Sequence, residues 1–274
     1  MHMLVPLKWS ALRTEVDPLS GSARVLPGRF GLDPASLAAL AWALQLAASS
    51  DATVGVVTIG PSVAEAGLRE ALALGAHEAQ RIDGPADPEP LEVARLLAPI
   101  AAEADLVVTG ARSIDRGSAA VAPALATLLR RSAACGLLGV EWDGEHISAE
   151  RRLPAGRRER LRLDTPAVIS LEAGTIALER AALPALLAAA QAPLTVSDPV
   201  SAPATESTAT ATVVPYRPRP RNAPLPPAGE EPRERIAALS GALEAGSRAQ
   251  QVELPPDEAA AEIVATLRRW GYIE

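Results

Sequence analysis

The chain has 274 residues, 33 Asp and Glu against 26 Lys and Arg, a net charge of −7 and 48% hydrophobic residues. That length and composition support one large domain, or one domain with an extension. An acidic chain without basic residues interleaved with aromatics argues against a nucleic-acid partner. The single Cys135 makes no internal disulfide and has no ligand spacing around it. No apolar run reaches the ~18 residues of a membrane span, and without a charged-then-apolar leader the expected compartment is the cytoplasm.

Taken in chain order, residues 3–9 (MLVPLKW) read as a short buried strand. Residues 33–50 (DPASLAALAWALQLAASS) read as a helix, with Asp33 as a cap and Pro34 at the first helical position. TVGVVTIG (53–60) is an apolar strand ending in Gly60, and 62–76 is a helix stopped by Gly75. A short strand at 78–83, a helix at 90–104 bent by Pro99, a strand at 105–110 and a helix at 118–131 follow. Near-continuous apolar strands alternating with helices predict an α/β fold: a mostly parallel sheet with helices on both faces, Rossmann-like. Ala dominates the helices, and small side chains let a helix lie close to a sheet. Ligands of such sheets bind beyond the carboxyl ends of the strands, here Lys8/Trp9, Ile59/Gly60, Asp83 and Gly110.

The pattern then changes. Asp143-Gly144 between two alternating runs predicts a β-hairpin. RERLRL (158–163) and PAVISL (166–171) read as strands, and 182–191 as a short helix. The arginines of RRLPAGRRERLR (151–162) read as the solvated face of that hairpin. The domain boundary is expected at 192. Residues 193–254 are polar and proline-rich, a linker or an arm lying along a partner. Residues 255–274 form a helix with Asp257 and Glu258 at its positive end and a stripe of Ala260, Ile263, Val264 and Leu267. A long arm ending in an amphipathic helix implies docking, on this domain or on another chain.

GxSxG, HExxH, CxxC and Walker A motifs are absent, so no catalytic residue and no metal site are expected. His2, His77 and His146 are scattered, and Trp42 reads as core. Trp9, at a strand's carboxyl end, is harder to dismiss. The stretch GARSIDRGSAA (110–120) is the best site candidate. The N–H groups of Gly117, Ser118 and Ala119, with Arg112 or Arg116, suit a phosphate. A plain strand-to-helix connection capped by Asp115 or Ser118 is the other reading, and the local pattern leaves both open.

The order of these motifs resembles the beta subunit of electron transfer flavoproteins, the family that includes the FixA proteins. MLVPLK is similar to that family's opening strand with its following Lys, and VTIGPSVAEAGLREALALGAHEAQRID to its Gly-ended strand and "LRxALAxGA" helix. PLEVARLLAPIAAEADLVVTGARSID resembles the segment before the family's Gly-Lys-Gln-Ala-Ile-Asp loop. LRLDTPAVISLEAGTIALERAALPALLAAAQAPL, the VVPYRPRPR arm and the DEAAAEIVATLRR helix fit in sequence. The resemblance implies an electron-carrying subunit that pairs with an alpha subunit and moves electrons from a dehydrogenase to a downstream acceptor. FAD is then shared with the alpha subunit. An adenine nucleotide, AMP or a second FAD, occupies a pocket of this chain. The pocket residues carried over are Pro6, Lys8, Asp33, Ile59, Gly60, Gly110, Arg112, Ile114, Asp115, Gly117 and Ser118.

The departures are specific. Ala120 and Ala122 stand where the family has a Gln and a Gly near the helix start, which weakens a phosphate site. Asp33 replaces an Asn, and a carboxylate facing a phosphate would repel it. Arg13 falls where the family places an aromatic near the flavin. The partner-recognition loop reads Glu172 to Arg180 without its leucine anchor, which implies a specialised dehydrogenase as donor. Together with an Ala-, Arg- and Pro-rich, high-GC composition, these departures point to the divergent, mycofactocin-associated actinobacterial branch of the family. Two other readings share the fold: a stand-alone adenine-nucleotide-binding protein, against which the arm argues, and a scaffold subunit with an empty pocket.

Overall fold

The computed structural model describes residues 1–17, 20–26, 28–199, 231–239, 253–270 and 272–273. The chain divides into two units, Met1–Tyr216 and Arg217–Glu274. In the first unit the elements are β1 (His2–Pro6), β2 (Trp9–Ala11), β3 (Thr14–Val16), β4 (Ala23–Val25), β5 (Phe30–Leu32), α1 (Pro34–Ser50) and β6 (Thr53–Ile59). A 3-10 turn (Ser62–Ala64) leads into α2 (Glu65–Ala73), followed by β7 (Glu78–Ile82), α3 (Pro90–Ala101), β8 (Leu106–Gly110) and α4 (Val121–Leu129). Next come β9 (Ser132–Trp142), β10 (Ile147–Arg152), β11 (Arg158–Leu163), β12 (Ala167–Leu171), α5 (Leu183–Gln191) and β13 (Thr195–Ser197).

Nine strands form one sheet in the order β11-β10-β9-β12-β8-β1-β6-β7-β13. From β9 to β13 all neighbours are parallel, and β10 and β11 add an antiparallel hairpin at one edge. The expected mostly parallel sheet is therefore present. The pleat explains why its strands read as continuous apolar runs. Met3, Val5, Leu106 and Val108 face one core with α1 and α2, including Leu40, Leu46 and Leu68. Leu4, Val57, Val107 and Val168 face a second core with Ala94 and Leu97 of α3 and Leu125 of α4. A strand covered on both faces has no polar face to display. A side ribbon pairs β2 with β5 and β3 with β4, both antiparallel.

Two arginines close helix ends. The Arg131 guanidinium donates to the carbonyls of Ala101, Ala102 and Ala104 beyond α3. Arg69 donates to Ala189, Ala190 and Ala192 at the end of α5. Carbonyls of a last helical turn lack partners within the helix, so such donors complete them. His77 accepts the Val54 N–H through Nδ1 at 3.1 Å, a structural role.

Several boundaries differ from the sequence reading. α4 begins at Val121, not at 118, because Gly117 (φ 59°) and Ala119 (φ 55°) are both left-handed. Its cap residue is Ala120, with no side-chain capping bond, so neither Asp115 nor Ser118 caps it. The 62–76 helix opens with the 3-10 turn. β13 adds a strand beyond residue 192. In the second unit, α6 (Pro232–Leu239) forms within the proline-rich stretch, and α7 (Pro256–Arg269) carries exposed Ile263 and Val264 and is followed by exposed Trp270. The VVPYRPRPR arm lies outside the described residues. Among the described residues no helix is long and apolar enough to cross a membrane.

Candidate functional site

Strand order places β1 between β6 and β8, so the chain reverses its direction of travel across the sheet at the β1/β8 boundary. Crevices in parallel sheets open at such switch points, beyond the carboxyl ends of the strands. A cleft of about 900 Å3, counting its open mouth, lies there. Its floor is apolar, with Pro6, Val57, Ile59, Val93 and Leu97. Its rim combines the start of α1 (Asp33, Ala35, Ser36), the β7–α3 loop (Ala86, Pro88, Pro90) and the β8–α4 loop from Ala111 to Ala120.

Packing at the strand end shapes the cleft. A Cβ on Gly110 would sit 2.8 Å from the Ala35 Cβ and 3.0 Å from the Ser36 nitrogen. Gly110 is thus required because the first turn of α1 rests on the end of β8. The Asp33 carboxylate, only 1% exposed, links two segments distant in sequence. Oδ1 accepts the Ala35 N–H at 2.9 Å as the α1 cap, and Oδ2 accepts the Ile114 N–H at 2.7 Å. Both oxygens already hold backbone donors. These neutral N–H donors orient the carboxylate and leave its negative charge beside the cleft.

The charged side chains around the rim are mostly paired. Lys8 Nζ reaches both Asp115 oxygens, at 2.7 and 2.6 Å. Burial pushes the Asp115 carboxyl up, but Lys8, Ser113 and the Arg116 N–H outweigh it and hold it below the usual value. Arg116 donates from Nε and Nη2 to the two oxygens of Asp87, at 2.9 and 2.8 Å, and approaches Glu89 at 2.7 Å. These pairs raise the already high guanidinium value further. Arg116 thereby ties the β8–α4 loop to the β7–α3 loop across the cleft. Arg112 lines the cleft, is exposed, and has no carboxylate partner among the described residues. The α4 N-terminus has no side-chain cap, and Pro123 has no N–H, so Val121 and Ala122 carry the first-turn donors.

Of the residues expected to bind a cofactor, Pro6, Lys8, Asp33, Ile59, Gly110, Arg112 and Ser118 line the cleft. Ile114, Asp115 and Gly117 belong to its loop without lining it, and Ile114 is 54% exposed. Gly60 does not line the cleft, and its carbonyl accepts from the buried Arg81, itself paired with Glu65 and Asp83. Sequence reasoning missed the Ala86–Pro90 wall, and two prolines in a polar loop were the available signal. Trp9 also lines the cleft, and its buried indole N–H, like the Ser10 hydroxyl, finds no partner among the described residues. Ala120 lines the cleft, whereas Ala122 is 4% exposed and packs in the α3–α4 core. No group of three or more metal-ligating side chains occurs among the described residues.

Fold and cleft define a class: a mostly parallel α/β sheet with a cleft at its topological switch point. Residues 28–202 match the family described as Electron transfer flavoprotein domain. A FixA protein of Rhizobium meliloti is 31% identical over 205 residues, covering 70% of each chain. The electron transfer flavoprotein subunit beta of Bradyrhizobium diazoefficiens is 28% identical over 200 residues, 71% of this chain and 80% of that protein. The corresponding subunit of Bacillus subtilis is 30% identical over 168 residues, 60% of this chain and 65% of that protein. The chain belongs to the electron transfer flavoprotein family, on its beta-subunit and FixA branch.

Proposed function

We propose that this chain is the nucleotide-holding half of a heterodimer in which an alpha subunit carries most of a redox-active FAD, and that the strand-end cleft holds a single-phosphate adenine nucleotide. Flavin supplies the electron chemistry when bound, and this chain contributes position and electrostatics, with no catalytic residue of its own. A specialised dehydrogenase is the donor, and the cytoplasm is the compartment. The apolar floor suits a purine, and the rim supplies phosphate donors. Arg112 is the observation that carries the reading. Lys8 and Arg116 already hold carboxylates, whereas Arg112 lines the cleft beside an uncapped helix start with none among the described residues. Around the rim the carboxylates of Asp33, Asp87, Glu89 and Asp115 outnumber Lys8, Arg112 and Arg116, which favours one phosphate over a pyrophosphate.

Co-expression with a candidate alpha subunit tests this. A yellow 1:1 complex that releases one FAD and one AMP on denaturation is the expected result. Arg112→Ser should lose AMP and keep FAD. FAD without AMP overturns the nucleotide assignment and leaves a scaffold-like cleft. Two FAD overturn the single-phosphate assignment. A colourless chain that never associates overturns the carrier reading.

A further inference from the structure

Between Glu150 and Arg162 the chain holds six arginines and two glutamates, a charge of +4, which leaves −11 on the rest of the chain. The structure organises this segregation. β10 and β11 pair at the sheet edge with Arg152 opposite Arg158, Glu150 opposite Arg160 and Ser148 opposite Arg162. Residues of the other parity, Ile147 and Ala149 with Leu161 and Leu163, belong to or pack against the core. On that inner parity Arg151 and Glu159 neutralise each other at 2.5 Å. On the outer parity Arg152, Arg158, Arg160 and Arg162 are all exposed. Glu150, held by Arg158, is the carboxylate of that parity on the ribbon, and Glu141 of β9, opposite Ser148, borders it. Arg162 lies toward the hairpin turn, against His146 and near Asp143. Arg157, in the connection, adds a further exposed cation.

Edge strands often carry charge to discourage sheet-to-sheet pairing. That alone does not call for two arginines directly opposite one another, an arrangement that costs stability. Nor does it call for gathering cations on one ribbon of an otherwise acidic chain. An electron carrier must meet and leave its partners quickly, through small interfaces steered by complementary charge.

We infer that the outer face of the β10–β11 ribbon docks a carboxylate-rich face of a redox partner protein. This rests on the electron-carrier reading. Cations of Arg152, Arg157, Arg158 and Arg160 would steer the encounter, leaving the cleft and its loops outside the contact.

The test uses the flavin-containing heterodimer. Binding is measured to succinylated cytochrome c, whose surface is anionic, and to native cytochrome c, whose surface is cationic. A DNA duplex and phosphatidylglycerol vesicles serve as further anionic probes. The expected result is binding to the succinylated protein that weakens with salt, while native cytochrome c reports on the acidic remainder of the complex. Arg158→Thr/Arg160→Thr should bind the succinylated protein about fivefold more weakly at low salt and the native protein no more weakly, with unchanged flavin content. A control removing the same charge from the side ribbon, Arg24→Ser/Arg29→Ser, should bind the succinylated protein like the parent. No binding of the succinylated protein, an unaffected double variant, or tighter binding to DNA or vesicles overturns the inference. Loss of flavin from the parent complex would instead indict the carrier reading.

Discussion

Asp33 is the residue whose replacement is most informative about the cleft. Its carboxylate is 1% exposed and holds the Ala35 N–H at 2.9 Å and the Ile114 N–H at 2.7 Å. Asp33→Ala removes a helix cap, at about 1 kcal/mol. It also leaves the Ile114 N–H without a partner, at about 1–3 kcal/mol. The expected total is about 2–4 kcal/mol. At about 2–4 °C per kcal/mol for a unit of this size, melting should fall by about 4–16 °C. Asp33→Asn is the sharper variant. Its amide oxygen still caps α1, but its NH2 group then faces the Ile114 N–H, donor against donor. Only the loop tether is lost, at about 1–2 kcal/mol, and the 110–120 loop loosens. Scanning calorimetry and bound-nucleotide analysis read the two effects separately. If Asp33→Asn melts with the parent and retains nucleotide equally, the tether does not act as described.

Asp115→Asn tests the Lys8 pair through pH. The folded carboxyl lies below its ordinary value of 3.8. Its contribution is therefore complete above that value and lost as pH falls through the depressed folded value. The gap in melting temperature between parent and variant should be constant near neutrality and shrink only below about pH 4. A gap that does not change with acidification would refute the pairing. Gly110→Ala should cost about 1–3 kcal/mol by forcing α1 away from β8, and should reduce bound nucleotide. A variant with unchanged melting would show that the α1–β8 contact yields freely.

Much of the fold was legible because the pleat writes itself into the sequence. Strands buried on both faces, such as Val54 to Ile59 and Leu106 to Gly110, have to be almost wholly apolar, and their buried Thr58 and Thr109 hydroxyls donate to the carbonyls of Leu7 and Ile169. The α1 cap was legible from Asp33-Pro34, a local signal. The second bond of Asp33 was not, since Ile114 is 81 residues away and periodicity carries no information about it. The choice between Arg112 and Arg116 was beyond sequence for the same reason. It depends on which arginine finds Asp87 across the cleft, and only the packed loops decide that. The start of α4 was misplaced because Ala119 adopts a left-handed conformation that its residue type does not advertise.

The two alanines that replace a family Gln and Gly do not act alike. Ala122 turns its methyl into the α3–α4 core and does not line the cleft, so losing a glycine there leaves the cleft mouth unchanged. Ala120 stands on the rim, where a missing side-chain amide removes a donor. With Pro123 lacking an N–H, the proposed phosphate would rest on the first-turn N–H groups and on Arg112. A site so dependent on one exposed guanidinium is weakened by salt. Ala120→Gln should therefore raise AMP retention, flatten its salt dependence, and partly restore AMP to the Arg112→Ser variant. Ala122→Gly should do none of these and should lower stability by about 1 kcal/mol in the first turn of α4. If Ala122→Gly restores nucleotide and Ala120→Gln does not, the phosphate lies on the opposite side of the helix start from Arg112.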